Sequence, residues 1–207
     1  MNELVFFLEE QSAAEMLKGL LPRIVPQGLP VRYITFEGKR DLETQIVLRL
    51  QHYRTPNARL VILRDQDSSD CRVVKKALVG KCRQAKRTDV LVRIACHELE
   101  SWYLADLAAV EQALGIPRLA EKQEKKKYRL PDSLANAAEE LIKLTGNRYQ
   151  KISGSRAIGP HLNLDNNRSP SFKAFVEGIR KIAVDLSENG PLSQVPAGGP
   201  VNGSRTL

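Results

Sequence analysis

Short apolar runs alternate with amphipathic segments along the first half of the chain. Uninterrupted apolar runs bounded by charged residues are typical of strands buried on both faces, as in a parallel sheet covered by helices. Between these runs, apolar residues recur at the spacing of helices. This order predicts an α/β fold whose mostly parallel, four-stranded sheet is flanked by helices and connected right-handedly. The strands are predicted at Leu4–Leu8, Val31–Thr35, Leu60–Leu63 and Val90–Ala95.

Capping residues predict where the helices begin. Ser12 followed by Glu15 has the spacing of a capping box, which makes Glu15 a structural residue. Pro22 is expected to end or kink this first helix. Asp41 is predicted to cap the second helix, and the third is expected to begin near Ser69 or Asp70.

From Asp106 onward the pattern is helical, which predicts an α/β core over residues 1–106 and a helical extension packed on it over residues 107–186. Residues 187–207 are rich in Gly, Pro and Ser and contain too little apolar surface to fold, so a disordered tail is expected. Within the extension, Ile152–Arg156 combines small and basic residues. It is interpreted either as a phosphate-binding loop or as a plain connection between helices.

Composition restricts the partners and the compartment. The 32 Lys and Arg against 24 Asp and Glu give a net charge of +8, which favours a polyanionic partner. The three cysteines and three histidines lack the spacing of a zinc site, and an odd number of cysteines fits a reducing compartment. No segment approaches the roughly 18 apolar residues of a membrane span, and a signal peptide is not indicated. A soluble cytoplasmic protein is therefore expected.

The stretch Arg59–Asp70 carries the strongest candidate chemistry. Asp65 and Asp67 stand at or just past the end of a predicted buried strand, where ligands bind in open α/β sheets. Two carboxylates placed there suit a cation such as Mg²⁺, which takes hard oxygen ligands. The alternative is a solvated loop whose Asp or Ser caps the next helix.

A second acidic stretch follows the fourth strand. If Glu98–Tyr103 is helical, Glu98 and Glu100 point about 200° apart, so at most one of them faces the site. Trp102 is then expected to anchor the core. His97 is interpreted as a structural residue in preference to a general base.

Basic residues cluster after the second aspartate, and they are either solvated or in contact with phosphates. Those predicted to bind nucleic acid are Lys75, Lys76, Arg83, Lys86, Arg148 and Arg156.

Several motifs together resemble known proteins. A strand followed by Glu9 and a helix, with a later strand ending in Asp65-Gln66-Asp67, is similar to the Toprim fold of topoisomerases, bacterial primases and OLD-type nucleases. The stretches Leu8–Glu10, Asp65–Asp67, Glu98–Trp102 with Leu104–Asp106, and the pair Tyr149–Gly154 and Ser169–Phe175 resemble a bacterial Toprim-like family of uncharacterised function. Members are often encoded beside ABC- or SMC-like ATPases and are suspected of nuclease action in phage defence. Glu10 departs from this family, which usually has Gly after its first glutamate.

The resemblance implies metal-dependent cleavage of phosphodiester bonds in DNA or RNA. Asp65 and Asp67 would hold Mg²⁺ or Mn²⁺, with Glu9 as a ligand or general base. Glu100, or otherwise Glu98, would complete a second metal position. Lys151 and Arg148 are the candidates for cations that stabilise the transition state.

Two alternatives are left open. One is a non-catalytic module that binds nucleic acid and an ATPase partner, and the other is an enzyme acting on small phosphorylated substrates. The oligomeric state is also open, with a homodimer among the alternatives.

Overall fold

The computed structural model describes residues 2–188. All four strands are parallel and lie in the order β2-β1-β3-β4. The alternation of strands and helices predicted from the sequence is therefore confirmed. The strands are β1 (Glu3–Leu8), β2 (Val31–Thr35), β3 (Ala58–Asp65) and β4 (Val90–Ala95).

Helices flank both faces of the sheet. The chain between two parallel strands has to cross one face of the sheet, and here these connections contain helices. The two central strands, β1 and β3, are therefore covered by helices on both faces. The helices of the described residues are α1 (Gln11–Leu20), α2 (Lys39–His52), α3 (Cys71–Gln84), α4 (Glu100–Leu104), α5 (Leu107–Leu114), α6 (Ala137–Leu144), α7 (Lys151–Ile158) and α8 (Pro170–Glu188).

Two hydrophobic cores lie on opposite faces of the sheet. On one face, α2 and α3 pack on the sheet through residues such as Ile46 and Leu78. On the other, α1 shares a larger core with the later helices, and Trp102 lies between Phe172 and Phe175 with ring centroids 5.2 Å from each. Trp102 is fully buried, which confirms the expected anchor. The division at residue 106 stays a prediction, since this core draws on residues from both sides of it.

Two of the predicted helix starts are wrong. Helix α1 begins at Gln11, so Ser12 lies inside the helix and donates to Glu10 Oε2 at 3.2 Å instead of forming a capping box with Glu15. Helix α2 begins after Gly38, whose φ of +94° suits glycine, and Asp41 accepts from the Glu37 backbone N–H at 3.1 Å. The other predicted features hold. Asp70 caps α3 through the N–H groups of Arg72 and Val73, and a 3-10 turn containing Pro22 follows α1.

The predicted loop at Ile152–Arg156 is part of helix α7. Its small residues serve close packing: a Cβ on Gly154 would meet the Tyr149 ring at 2.4 Å, and one on Gly159 would meet the Met16 carbonyl oxygen at 2.3 Å. The predicted loop is therefore wrong. The backbone N–H groups of Ile152 and Ser153 lie in the first turn of α7, where helix geometry leaves them without intrahelical partners, so phosphate binding there stays a prediction.

Helix α8 continues through Glu188, two residues into the expected tail. The rest of that predicted tail, residues 189–207, lies outside the described residues. No helix in the described part of the chain is long and apolar enough to cross a membrane.

Candidate functional site

Glu9 and Asp65 meet at the carboxyl edge of the sheet. Strands β1 and β3 are neighbours in register, with Leu8 opposite Leu63. Glu9 directly follows β1 and Asp65 is the last residue of β3. The Asp65 backbone N–H donates to Glu9 Oε2 at 3.2 Å, so the two acids are adjacent although 56 residues separate them in the chain.

Side-chain alternation divides the acidic residues between two faces of the sheet. Along β3, Ile62 packs into the core beneath α2 and α3, whereas Leu63 packs into the core beneath α1. Continuing this alternation places Arg64 on the α2 side and Asp65 on the α1 side. Glu9 falls on the α2 side by the same reasoning along β1. The site therefore has two parts that share the sheet edge.

The part on the α2 side is organised by Arg64, which is only 6% exposed. Its guanidinium contacts three carboxylates: Glu43 Oε1 at 2.5 Å, Asp67 Oδ2 at 3.5 Å and Glu9 Oε2 at 3.6 Å. Lys39 Nζ also lies 2.9 Å from Asp67 Oδ2. Asp67 is therefore paired with two cations, and its φ of +57° directs the chain into the following turn.

The part on the α1 side surrounds Asp65. Burial raises the pKa of its carboxyl well above the ordinary value, and the nearby charges of Glu100, Glu9 and Glu10 raise it further. Glu100 is 1% exposed, and burial also raises its pKa. Burial, together with the charge of Asp67, raises the pKa of Glu9 as well. Three carboxyl groups at one sheet edge are thus held where their negative charge is unfavourable.

Two tyrosines and a lysine complete this part. The Tyr149 hydroxyl donates to Glu100 Oε1 at 2.7 Å. The buried Tyr103 hydroxyl has no hydrogen-bond partner within residues 2–188, and its pKa is raised by burial and by the charge of Glu100. Lys151 Nζ lies 2.6 Å from Glu10 Oε2. Lys151 is therefore held beside the carboxylates, as its predicted role requires.

Glu10 fits the turn without strain. Its φ of −142° and ψ of 160° are extended values that any residue adopts, so the backbone does not require glycine there. Lys151 balances its negative charge. The departure from the family pattern thus leaves the local geometry intact and adds a carboxylate beside Asp65.

Glu98 and His97 have structural roles. Glu98 Oε2 accepts from the Ala138 backbone N–H at 2.7 Å, at the start of α6. Helix α4 begins only at Glu100, so the helical spacing assumed for Glu98 and Glu100 does not apply, although the two carboxylates do have different partners. Of the two, Glu100 is therefore the one beside Asp65. His97 Nδ1 lies 3.2 Å from the Asp67 carbonyl oxygen, which fits the interpretation as a hydrogen-bonded structural residue.

Two predicted basic contacts are engaged elsewhere. Arg156 Nε lies 2.5 Å from Glu15 Oε2, an ion pair that joins α7 to α1. Arg148 is exposed and donates to the Gly115 carbonyl oxygen at 3.4 Å, at the end of α5. Neither side chain is directed at the carboxylates, so the role of Arg148 as a transition-state cation has no support in this geometry.

The basic residues of α3 are exposed and spread along the helix. Lys75 and Lys76 lie in its first half, whereas Arg83 lies in its last turn and Lys86 follows its end. At 1.5 Å per residue, a 14-residue helix places its two ends about 20 Å apart. Only an extended polyanion could contact all four residues and also reach Asp65.

The sequence interpretation missed Arg64, Lys39 and Tyr149. The available signal for Arg64 was its position between an apolar run and Asp65. Tyr149 belonged to the motif Tyr149–Gly154 of the family resemblance but was given no role, and Lys39 gave no signal, because the fold brings both to the site from distant segments.

The donor chemistry of the site fits a divalent cation. Mg²⁺ and Mn²⁺ take carboxylate oxygens, and a cation would stabilise the carboxyl groups of Glu9, Asp65 and Glu100, whose pKa values are raised by burial and by neighbouring negative charges. In this conformation, however, no three His, Cys, Asp or Glu side chains among residues 2–188 converge closely enough to hold an ion. The division between the two faces of the sheet accounts for this spacing.

The parallel sheet and flanking helices define an α/β protein with an acidic edge. Residues 8–180 match the model of a family described as Domain of unknown function (DUF4276), and the chain belongs to that family.

Two solved structures align with most of this chain. Both are of the C-terminal region of the OLD protein of Xanthomonas campestris pv. campestris. One, phased with iodine, is 15% identical with a TM-score of 0.50 and covers 90% of this chain and 98% of that one. The other, phased with mercury, is 14% identical with a TM-score of 0.48 and covers 89% and 98%. No curated protein matches the chain.

Proposed function

We propose that the protein is a Toprim-like, divalent-metal-dependent nuclease that hydrolyses phosphodiester bonds in DNA or RNA. The observation that carries this proposal is the partly buried carboxylate of Asp65, whose pKa is raised by burial and by neighbouring carboxylates at the edge where two central strands end. Buried, mutually repelling carboxylates at a strand edge are typical of functional sites, because they are costly to fold and are stabilised by a bound cation.

Asp65, Asp67 and Glu9 would hold the metal, with Glu100 at a second position. Because these carboxylates do not converge in the present conformation, binding would require the ion pairs of Asp67 to open and the carboxylates to move together. When bound, Mg²⁺ or Mn²⁺ would supply Lewis-acid stabilisation of the negative charge that develops on the phosphate. Glu9 also accepts from the Asp65 N–H, so its carboxylate is oriented by the backbone of the neighbouring strand. Lys151 would place positive charge beside the phosphate being cleaved.

The exposed lysines in the first half of α3 would bind the nucleic acid backbone outside the cleavage site. Arg83 and Lys86 belong to this surface only if the polymer follows α3 along its length. An ABC- or SMC-like ATPase as partner, a role in phage defence and a cytoplasmic location complete the proposal. They rest on the family resemblance.

One observation favours a second candidate, a non-catalytic module that binds nucleic acid and an ATPase. Asp67 is already paired with Lys39 and Arg64, and Glu10 with Lys151. A site whose carboxylates are neutralised by the protein's own cations can be stable without metal. Catalysis would then require these ion pairs to open.

The deciding experiment compares metal-dependent cleavage by the wild type and by Glu9→Gln. Glutamine keeps the size and the acceptor for the Asp65 N–H but removes the charge. We expect the rate to fall by orders of magnitude with little change in fold. Exposed Glu37 lies at the same sheet edge, and Glu37→Gln is the matched control that should keep full activity.

Single- and double-stranded DNA and RNA are tested with Mg²⁺ and Mn²⁺, each with and without a co-encoded ATPase. Equal cleavage by the wild type and Glu9→Gln would refute the mechanism. Salt-sensitive binding without cleavage in any combination would favour the non-catalytic module. Turnover of free nucleotides without dependence on polymer length would indicate an enzyme for small substrates.

A further inference from the structure

Two of the three cysteines lie at the same edge of the sheet. Cys71 is the first residue of α3, and Cys96 directly follows β4. Both are partly exposed, whereas Cys82, near the other end of α3, is buried. The two partly exposed cysteines are 25 residues apart in sequence but are brought together by the packing of α3 on the sheet.

Helical spacing directs Cys71 toward the sheet. It stands three residues before Val74 and seven before Leu78, and both of these pack into the core between α3 and the sheet. Cys71 itself packs at the margin of the same core. Its thiol is therefore on the face of α3 that covers the sheet.

Strand alternation directs Cys96 toward α3. Val92 and Ile94 of β4 point into the same core beneath α3, and Cys96 is two residues further along. The pairing of the chains continues past the end of β4, with Gln66 N–H donating to the Ala95 carbonyl at 2.9 Å. The pairing is thus maintained up to Ala95, directly before Cys96, whose own N–H donates to Ser171 Oγ of α8 at 3.3 Å.

The two thiols are neighbours at this edge, since His97, next to Cys96, is bonded to the segment that leads into Cys71. Burial raises the pKa of the Cys96 thiol to about 11, and the charge of Asp132 and the nearby Cys71 raise it further. Because the thiolate is the nucleophile in thiol–disulfide exchange, Cys96 is a poor first nucleophile at neutral pH. Cys71 is left as the residue that reacts first, with Cys96 as the resolving thiol.

We propose that Cys71 and Cys96 form an oxidisable dithiol that exchanges with a small disulfide, such as oxidised glutathione, to give an internal disulfide. The Cys71 thiolate attacks one sulfur of the small disulfide and releases one small thiol, leaving a mixed disulfide. The Cys96 thiolate then attacks Cys71 Sγ and releases the second small thiol. In total, two protein thiols are oxidised to one disulfide, and the small disulfide is reduced to two small thiols. The protons lost by the two cysteines are taken up by these small thiols.

The disulfide would tie the first turn of α3 to the end of β4. The segment of residues 66–70 between β3 and α3 carries Asp67, whose backbone N–H donates to the His97 carbonyl at 2.9 Å. Oxidation would therefore restrict the segment that holds one of the acidic residues. The proposal itself depends only on the placement of the two thiols and not on nuclease activity.

The test uses the full chain, reduced, freed of reductant and incubated with oxidised glutathione. Remaining thiols are alkylated, and intact-mass and peptide-mapping spectra are recorded. We expect two of the three thiols to be lost, with no glutathione attached and a cross-link between the peptides that contain Cys71 and Cys96. Cys82→Ser is the matched control and should form the same cross-link.

Cys71→Ser and Cys96→Ser should each abolish the internal disulfide, and circular dichroism checks that both variants fold. In Cys96→Ser, the remaining Cys71 should accumulate the mixed disulfide with glutathione, because the resolving thiol is gone. A stable mixed disulfide on wild-type Cys71, a cross-link that contains Cys82, or retention of all three thiols would overturn the proposal.

Discussion

The ion pair between α1 and α7 gives a stability prediction whose magnitude follows from the structure. Glu15 is 3% exposed, and its carboxylate is covered by Lys18 and Arg156, each with a nitrogen 2.5 Å from a carboxylate oxygen. Hydrogen bonds from Arg156 and Lys18 lower the pKa of Glu15 from 4.5 to about 2. We expect Glu15→Gln to lower the free energy of unfolding at neutral pH.

The size of this loss has an upper limit set by the pKa. A fall from 4.5 to about 2 corresponds to at most about 3 kcal/mol. The Arg156 and Lys18 side chains are 65% and 50% exposed, so solvent screens both interactions. The expected loss is therefore about 1 kcal/mol.

The pH dependence tests the cause. Because the pKa of Glu15 is lower in the folded state, its contribution is fully present above pH 4.5 and is lost as the pH falls toward about 2. Urea unfolding of the wild type should show this loss, and Glu15→Gln should show a flatter dependence over the same interval. Glu139→Gln, at an exposed position on α6, is the matched control and should follow the wild type. Parallel pH profiles of the wild type and Glu15→Gln would refute the reasoning.

Three further predictions concern the site, the packing and the nucleic acid. Asp65→Asn should raise the Tm measured in the presence of a chelator, because it removes charge repulsion between carboxylates. If this relief stabilises the protein by about 1 kcal/mol, the Tm rises by about 2–4 °C. A lower Tm would contradict the proposed repulsion. In urea unfolding, Gly154→Ala should destabilise the protein by about 1–3 kcal/mol, because the added methyl group would clash with Tyr149. Gly80→Ala is the control: Gly80 lies on α3 with open space around it, so this change should stabilise the protein by about 0.5–1 kcal/mol. If Lys75 contacts a phosphate, Lys75→Ala should make the slope of log affinity against log salt shallower by about 0.7–0.9, and an unchanged slope would place this lysine outside the interface.

The candidate site was partly accessible from the sequence. Asp65 was identified by its place just past an apolar run, because ligands bind where parallel strands end, whereas the role of Glu9 came from the family resemblance. Arg64 escaped this reasoning, since an arginine within a strand gives no indication of which carboxylates it will meet. Arg156 was expected to bind phosphate, yet it pairs with Glu15, whose position depends on how α7 crosses α1.

What the sequence determined by itself is the order of strands and helices, since hydrophobic periodicity is a local property that reports which face of each element is buried. The pairing of β1 with β3 and the packing of the later helices on α1 were decided only by the tertiary structure. Side-chain alternation on those paired strands then divides Glu9 from Asp65 across the sheet, and helix packing brings Lys151 and Tyr149 beside the carboxylates. These contacts join residues far apart in the chain, and their geometry depends on crossings and registers that no local pattern encodes.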